Sequence, residues 1–320
     1  MKHYIELKLT KNVNCDTVLV TGGAGFIGQH LTSELLSQGR KVTVLDDFST
    51  GVPLPSHPLL RVIEGDLSDS AIREEALHQV KSVINLAAIA SVPLCENKPE
   101  LSSSINHIAA HDLFIEASNR GVSAIIHAST SALYGVPEEL PLTEQSPVCP
   151  IGIYGQDKQR AEESLLSFTQ IPVCSLRLFN VYGLGQTRDS PYSGVLTIFS
   201  DQIRKNQSLT IYGDGLQSRD FVHVKDVVSA FIGCLDDLEK NGVSSLISGK
   251  KFNVCSGESM TILDVVNAFG SASNMTPELI FAPTRDGDIL HSLGSYAYLK
   301  KSIGWAPVED FHQRLSDLLL

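Results

Sequence analysis

The chain has 320 residues and a formal net charge of −11, and 42% of its residues are hydrophobic while 19% are charged. That length can bury one large core or two modest ones, as in an ordinary soluble globular protein. The acidic balance argues against a nucleic-acid partner, because binding a phosphate backbone needs clustered basic residues and the sequence has no such cluster.

Membrane insertion and metal binding find no support in the sequence. Apolar runs such as residues 123–128 are too short to span a bilayer, and the opening stretch MKHYIELKLTKNVNC lacks the apolar segment of a signal peptide. We therefore expect a cytoplasmic protein. The six cysteines show no CxxC pair and no zinc-type His/Cys spacing. Reduced thiols and no metal site are expected.

Short β-branched runs alternate with amphipathic stretches, a rhythm typical of a parallel sheet covered by helices. Residues 26–39 predict the first helix, which ends at Gly39. The predicted strands are 17–23, 41–46, 60–66, 82–88, 123–129 and 171–180. Beyond residue 180 the sequence changes to loops that carry glycine and proline. We predict an α/β fold with a Rossmann-type doubly wound parallel sheet in residues 1–178 and a smaller lobe in residues 179–320, the segments of the two being interleaved.

The stretch TGGAGFIG lies between the first strand and the first helix. Glycines there let the backbone turn sharply and approach a pyrophosphate at the helix N-terminus. Asp46 ends the second strand, where a carboxylate can accept hydrogen bonds from an adenosine ribose. Asp46 and Asp47 together would repel a 2′-phosphate, so NAD is favoured over NADP. Asp66, after the third strand, is a candidate for the adenine side or a solvated loop residue. The three spaced glycines are Gly22, Gly25 and Gly28.

The stretch YGQDK places Tyr154 and Lys158 one helical turn apart. A lysine ammonium beside a phenol stabilises the phenolate and lowers the pKa of the tyrosine. Tyr296 with Lys300, and Tyr4 with Lys8, have the same spacing, so spacing alone does not identify a site. Tyr154 differs because it follows a strand that ends in hydroxyls, at the edge of the sheet where ligands bind.

Three hydroxyl residues, the first of them Ser129, stand at the end of the fifth predicted strand, in the stretch HASTSALYG. Thr130 can hydrogen-bond a substrate alcohol while Tyr154 takes its proton and a nicotinamide accepts the hydride. For Ser129 and Ser131, hydrogen bonds to the backbone at the strand end are an equally good explanation.

From Thr17 onward the chain resembles the extended short-chain dehydrogenase/reductases of the nucleotide-sugar epimerase/dehydratase family. The matching stretches include VTGGAGFIG, VLDDFSTG, STSALYG, YGQDK, LRLFNVYG, IYGDGLQSRDFVHVKDV and RDGDILHSLG. The resemblance implies that Thr130, Tyr154 and Lys158 form a catalytic triad and that the cofactor is NAD. The implied cofactor-binding residues are Gly22, Gly25, Phe26, Ile27, Gly28, Asp46, Ser49, Thr50, Gly51, Asp66, Leu67, Leu86, Ala87, Ala88, Tyr154 and Lys158.

The resemblance also implies a UDP-sugar substrate held by the second lobe. Asn180, Arg219 and Arg285 should hold the diphosphate, and Asp288 the nucleoside ribose, which suits guanidinium forks and a carboxylate. Surface ion pairs are the other explanation for Arg285. A small Ser292 at the gate beside the sugar 2-substituent leaves room for an N-acetyl group, which favours UDP-GlcNAc. Further implied substrate contacts are Ser91, Cys95, Thr130, Ser131 and Val195.

Three chemistries fit a 4-keto intermediate made by such a site. A 4-epimerase returns hydride to the other face of C4, whereas a dehydratase removes the C5 proton and expels water from C6. In 4,6-dehydratases an Asp-Glu pair follows the triad threonine, and here those positions are Ser131 and Ala132. The stretch SVPLC, residues 91–95, has lost the arginine of the epimerase pattern and gained Cys95, so a UDP-GlcNAc 5,6-dehydratase is the second reading. For Cys95 a buried filler is the alternative role.

Two further expectations concern assembly and class. The family forms homodimers through a four-helix interface, here residues 100–118 and 154–168, although amphipathic helices there also suit a monomer core. A non-catalytic NAD-binding regulator on the same fold is a minor alternative. Such a regulator would have little use for Thr130, Tyr154 and Lys158.

Overall fold

The computed structural model describes residues 16–186, 194–284 and 289–319. Arg285 and Asp288 lie outside the described residues, as do Tyr4 and Lys8. The strands are β1 Thr17–Thr21, β2 Lys41–Asp46, β3 Leu60–Glu64, β4 Val80–Asn85, β5 Ala124–Thr130, β6 Val173–Leu178, β7 Asn180–Tyr182, β8 Leu209–Tyr212, β9 Ser218–His223, β10 Lys250–Val254, β11 Ser259–Thr261 and β12 Leu279–Ala282.

Helices connect and cover these strands. The α-helices are α1 Phe26–Ser37, α2 Ser70–Ala76, α3 Val92–Asn97, α4 Pro99–Ser103, α5 Ala110–Asn119, α6 Ile153–Leu166, α7 Val195–Arg204, α8 Val224–Asn241, α9 Ile262–Ser273, α10 Ala297–Ile303 and α11 Phe311–Leu315. A π-helical segment, Ser104–Ala109, joins α4 to α5, and short 3-10 turns cover Ser131–Tyr134, Gly242–Ser244 and Ser316–Leu319. No described helix has both the length and the apolar character needed to cross a bilayer.

Seven parallel strands form the main sheet in the order β10-β6-β5-β4-β1-β2-β3. The chain order reverses between β1 and β4, and in open α/β sheets a ligand crevice opens at that point, beyond the carboxyl ends of the strands. The predicted doubly wound α/β fold is confirmed. The division at residue 178 stays a prediction, and β10, which pairs with β6, comes from the later part of the chain.

Alternation along the strands sends side chains to two cores. On one side Val18, Val20 and Ile126 pack with α1 and α8, and on the other Leu19 and Ile125 pack with α5 and α6. Because both faces are covered, the strands are almost continuously apolar.

The first helix ends as its sequence predicts. Gly39, at φ +75°, follows α1, and the amides of Gly39 and Arg40 bond back to the carbonyls of Leu36 and Leu35. This paired bonding around a left-handed glycine is the Schellman arrangement.

The predicted strands 17–23 and 60–66 each extend two residues past the observed ends, and the predicted strands 82–88 and 171–180 also extend past theirs. Residues 86–88 leave the sheet after β4, since their backbone turns towards the crevice beside Gly22. Residues 180–182 leave the line of β6 and form β7, which pairs with β9 in a separate three-stranded sheet, β11-β9-β7. The chain changes sheet within one residue, at Phe179.

A third apolar core lies under the small sheets, where α7 and α9 pack with β8 and β9. Strands β8 and β12 form a parallel pair beside it. Among the described residues no group of three or more His, Cys, Asp or Glu side chains is arranged to hold a metal ion, and the five described cysteines are free thiols.

Asp220 in β9 ties three segments of this lobe together. Its side chain is 0% exposed, and its Oδ1 accepts hydrogen bonds from the amide and hydroxyl of Ser256 at 2.8 and 2.7 Å. Its Oδ2 accepts from the amides of Gly257 and Gly294, both at 3.1 Å. Burial raises the pKa of Asp220, and these donors oppose that shift. The carboxylate thereby holds the loop that carries Ser292.

We expect Asp220→Ala to lower the free energy of unfolding by about 3 kcal/mol, because four donors to one buried carboxylate lose their acceptor. Urea denaturation of the purified protein measures the change. Asp214→Ala is the matched control, since the exposed Asp214 caps a single amide, that of Leu216, and should cost less than about 1 kcal/mol. Equal losses in the two variants would contradict the bracing role of Asp220.

Candidate active site

The glycine loop between β1 and α1 allows no side chain at two of its glycines. Gly22 has φ +67°, and a Cβ there would lie 2.7 Å from the amide nitrogen of Ala87. A Cβ on Gly28, in the first turn of α1, would lie 2.1 Å from the carbonyl oxygen of Gly22. The loop is therefore packed backbone against backbone. The N-terminus of α1 faces the crevice, and the residue that caps it is Gly25, which has no side chain to block the approach of a ligand. This is a cradle suited to a pyrophosphate.

Asp46, at the end of β2, is 8% exposed and stabilises this loop. Its Oδ2 accepts a hydrogen bond from the amide of Ala24 and its Oδ1 one from the amide of Phe48, both at 2.9 Å. Burial raises its pKa, and the two amides oppose that shift. Each carboxylate oxygen retains a second lone pair, so the group can also accept hydrogen bonds from the hydroxyls of a ribose.

A cavity of about 910 Å³ runs from the glycine loop to the second lobe. This volume is near the upper end of the roughly 300–1,000 Å³ range of small-molecule sites, so it can hold an extended ligand. An adjoining cavity of about 200 Å³ shares Asn180 and Arg219 with it and also contacts Val195.

The cavity wall brings together most of the predicted residues. From the cofactor set it includes Gly22, Gly25, Phe26, Ile27, Gly28, Asp46, Ser49, Thr50, Asp66, Leu67, Leu86, Ala87, Ala88 and Tyr154. From the substrate set it includes Thr130, Ser131, Asn180, Arg219 and Ser292. Gly51 lies next to the wall, where a Cβ would come within 3.0 Å of Asp46 Oδ1.

The acidic residues of the described wall lie together at the cofactor end. They are Asp46, Asp47 and Asp66, and the basic residues of the described wall, Arg219 and His291, line its other end. Negative charge around a ribose disfavours an additional 2′-phosphate. The site therefore fits NAD better than NADP.

Thr130 and Tyr154 come to the same wall from different elements. Thr130 ends β5, and its Oγ1 accepts a hydrogen bond from the amide of Ala132 at 3.1 Å, which leaves its O–H free to donate. Tyr154 is the second residue of α6, whose N-terminus points to the same edge of the sheet. Hydrogen bonding to the backbone is one of the two explanations for Ser129, and the structure does not support it: the residue is 3% exposed and its hydroxyl has no partner among the described residues.

Lys158 lies one turn further along α6, behind the wall rather than in it. Its side chain is 2% exposed, and its Nζ lies 3.2 Å from the Nε2 atom of His127 in β5. Burial lowers the pKa of Lys158 to about 7, and Glu162 opposes that shift. The amine thus lies on the protein side of the wall, one helical turn after Tyr154 in α6.

Ser91 and Cys95, expected to contact the sugar, are turned away from the cavity. The hydroxyl of Ser91 accepts a hydrogen bond from the amide of Leu94 and so begins α3. Cys95 is 0% exposed, its Sγ lies 3.4 Å from the carbonyl of Ile89, and burial raises its pKa. The wall at this point consists of aliphatic neighbours, among them Val92 and Leu94.

Asn106 has a structural role that the sequence did not reveal, and so does His127, whose contact with Lys158 is given above. Asn106, in the π-helical segment, accepts from the amide of Ile89 at 2.7 Å and donates to the same residue's carbonyl at 3.0 Å. It thereby fixes the loop after β4 that lines the cavity. A π turn inside a helix often marks a functional site, but its sequence carries no distinct pattern.

Comparisons with known proteins identify the family of the chain. Residues 18–255 match the model of the NAD dependent epimerase/dehydratase family. A putative UDP-glucose 4-epimerase of Methanocaldococcus jannaschii is 32% identical over 303 residues, which are 92% of this chain and 95% of that protein.

Two solved structures have the same fold over nearly the whole chain. The UDP-N-acetylglucosamine 4-epimerase of Methanobrevibacter ruminantium, in complex with UDP-N-acetylmuramic acid, has a TM-score of 0.87 and 34% identity, with 95% of this chain and 97% of that one covered. The UDP-glucose 4-epimerase of Thermus thermophilus, in complex with NAD, has a TM-score of 0.83 and 33% identity, with the same coverage. The family model covers well over half of the chain, and relatives of 32–34% identity cover more than nine-tenths of it, so the chain belongs to the NAD-dependent epimerase/dehydratase family.

Proposed function

We propose that the protein is a UDP-N-acetylglucosamine 4-epimerase that acts through a 4-keto sugar. The observation that carries this proposal is that Thr130 and Tyr154 share one cavity wall with the glycine loop, and that the same cavity extends to Asn180, Arg219 and Ser292. A cofactor at one end and a nucleotide sugar at the other would meet at Tyr154. The similarity to UDP-sugar 4-epimerases supports this arrangement.

The protein's own groups handle the proton of the substrate. Tyr154, as phenolate, accepts the proton of the C4 hydroxyl, and Thr130 hydrogen-bonds the same oxygen. The ammonium of Lys158 stabilises the phenolate from behind. The glycine loop and Asp46 would hold NAD, which would supply the acceptor for the C4 hydride and the donor for its return. Tyr154 gives its proton back to the new alkoxide, so inversion at C4 involves no net oxidation.

The surroundings of Tyr154 favour epimerisation over elimination. Loss of water needs a base for the C5 proton and an acid for the C6 oxygen, and the carboxylates of the described wall lie at the distant cofactor end. Ser131 and Ala132 occupy the positions of the dehydratase pair. Cys95 is buried, and its raised pKa makes it a poor base at neutral pH.

Ser292 supports an N-acetylated sugar. Its small side chain borders the cavity beside His291, and its amide donates to the carbonyl of Ser218 at 3.0 Å, which fixes its position. A relative that is 34% identical is a UDP-N-acetylglucosamine 4-epimerase. The diphosphate is assigned to Asn180 and Arg219, together with Arg285, and the uridine ribose to Asp288.

Incubation of the purified enzyme with UDP-GlcNAc in deuterated water should yield UDP-GalNAc without deuterium at C5, as read by NMR. Tyr154→Phe should lower kcat about a thousandfold, because it removes the acid–base group. Loss of water or exchange at C5 would support the 5,6-dehydratase instead. An unaltered activity in Tyr154→Phe would remove the mechanism, and no turnover of any UDP-hexose would favour the regulator.

Ser292→Tyr should lower kcat/KM for UDP-GlcNAc by about tenfold or more, since one overfilled pocket contact costs at least about 1–2 kcal/mol. UDP-glucose, which lacks the acetamido group, is the internal control and should change less than about threefold. Steady-state assays with both sugars measure the ratio. Equal losses for the two would show that Ser292 does not face the sugar 2-substituent.

We also propose that the enzyme works as a homodimer. Along the helical segment 99–119, Ile108 and Ile115 are 52% and 37% exposed, and neither lines the cavity. Exposed aliphatic side chains grouped on one such segment suit a protein interface. The partner is a second copy, because this segment lies in the helix pair that the family uses for dimers.

Ile108→Asp should convert the dimer to a monomer in sedimentation velocity, because a charge in an apolar interface is left unpaired. Val243→Asp is the matched control, as Val243 is 55% exposed on a distant 3-10 turn. A wild-type protein that sediments as a monomer at all concentrations would end this part of the proposal.

A further inference from the structure

A row of polar side chains crosses the main sheet beneath the cavity. Thr21, Asn85, His127 and Ser175 are register partners on β1, β4, β5 and β6, and each is 0% exposed. Strand alternation places them on the α5/α6 side of the sheet, level with Lys158. Buried polar groups without partners are costly, so the bonds among them decide the arrangement.

Thr21, Asn85 and His127 form a chain of hydrogen bonds that ends at Lys158. The hydroxyl of Thr21 donates to Asn85 Oδ1 at 2.5 Å, and Asn85 Nδ2 lies 3.1 Å from His127 Nδ1. His127 Nε2 lies 3.2 Å from the amine of Lys158. Ser175 instead donates to Glu162, at 3.1 Å. Both ring nitrogens of His127 are thus engaged.

His127 is a neutral imidazole in this position. Its pKa is lowered well below the usual value, first by burial and then by Lys158. The ring of Phe114 contacts it edge to face at 5.5 Å between centroids. A neutral imidazole has one N–H donor and one acceptor nitrogen, so its two ends cannot both accept.

The charge of Lys158 is therefore linked to the tautomer of His127. An ammonium donates to Nε2, which puts the ring proton on Nδ1, where it needs the oxygen of the Asn85 amide. A neutral amine accepts from Nε2–H, and Nδ1 then accepts from the amide nitrogen. The Asn85 amide can serve either state by turning over, because the Thr21 hydroxyl beside it can both donate and accept.

We propose that His127, oriented by Asn85, is a positioning residue that holds Lys158 beside Tyr154 and changes tautomer when Lys158 gains or loses its proton. This inference rests on the proposed roles of Tyr154 and Lys158. An ammonium has three donors, and one given to His127 leaves two for the phenolate side. At the end opposite Lys158, this chain of hydrogen bonds reaches Thr21, the residue before the glycine loop. We call the chain from Thr21 to Lys158 the relay.

Other ionisable groups near Lys158 have different partners or act along its own helix. Glu162, one turn further on α6, attracts the ammonium but is bonded to Arg177 of β6 at 2.6 Å. Asp157 is bonded to Ser102, Ser103 and Arg160. His127 is the group from β5, and Tyr154 is the group one turn earlier on α6.

The tautomer can be tested in the free protein, without turnover. In ¹⁵N-histidine NMR, with His127→Gln assigning the signal among the ten histidines, His127 should carry its proton on Nδ1 at low pH and on Nε2 at high pH. The midpoint should lie near the pKa of Lys158, about 7. Lys158→Met should abolish the transition. A tautomer that stays the same from about pH 5.5 to about pH 9.5, which spans the lowered pKa of Lys158, about 7, would overturn the proposal and leave the epimerase assignment intact.

Activity measurements on His127 variants distinguish a positioning role of His127 from a role in packing alone. His127→Phe removes the acceptor of the ammonium, so the Lys158 pKa should fall, and the alkaline limb of the kcat profile should move about one pH unit lower, with about tenfold less activity at about pH 8. His127→Gln, whose Oε1 can accept at the same place, should restore the profile and kcat to within about threefold. Equal loss in both variants with an unshifted profile, or no loss in either, would refute the relay, whereas activity in Tyr154→Phe would instead refute the proposed function.

Discussion

The backbone that leaves β1 touches the backbone that leaves β4, at Gly22 and Ala87. The amide of Leu86 donates to the carbonyl of Thr21 at 3.0 Å, which keeps the two strand ends in register until they diverge. Any side chain at residue 22 would push them apart, because its Cβ would lie 2.7 Å from the amide nitrogen of Ala87. The cavity begins where the two segments separate, so its position is a direct result of this contact. Thr21 and Asn85, directly behind it, hold the polar row in the same register.

Three buried side chains then keep the loops around the cavity in place. Asp46 binds the glycine loop, Asn106 binds the loop after β4, and Asp220 binds the segments beside Ser292. Loop amides lack the regular partners that strands give one another, and each of these side chains offers two polar atoms to satisfy them. The ligand-facing groups therefore lie on backbone that is already fixed, which is what a site needs in order to orient a sugar and a dinucleotide together.

The parts of the site that depend on local spacing could be predicted from the sequence. Gly22, Gly25 and Gly28 stand at a strand-to-helix turn, and Asp46 ends the next strand, so their positions follow from element order alone. The inward turn of Lys158 could not be predicted, because it depends on His127, which lies 31 positions away in sequence and looks like one more residue of an apolar strand. The internal hydrogen bonds of Ser91 and Cys95 also could not be predicted, because they depend on how the loop after β4 folds back on itself. The change of sheet at Phe179 depends on β9, whose pairing no local pattern shows. The roles of Arg285 and Asp288 stay predictions.

The seventh strand of the main sheet carries a consequence for how the chain is made. β6 is complete at residue 178, but its outer neighbour β10 spans Lys250–Val254. A ribosome releases the chain from its N-terminal end, so the open edge of β6 waits while the intervening segment is translated. Until β10 pairs with it, β6 is an exposed edge strand with unpaired backbone groups, and such an edge is prone to pair with another nascent chain. We therefore expect cotranslational folding to be most exposed to aggregation, and to benefit most from chaperones, in the interval before β10 emerges.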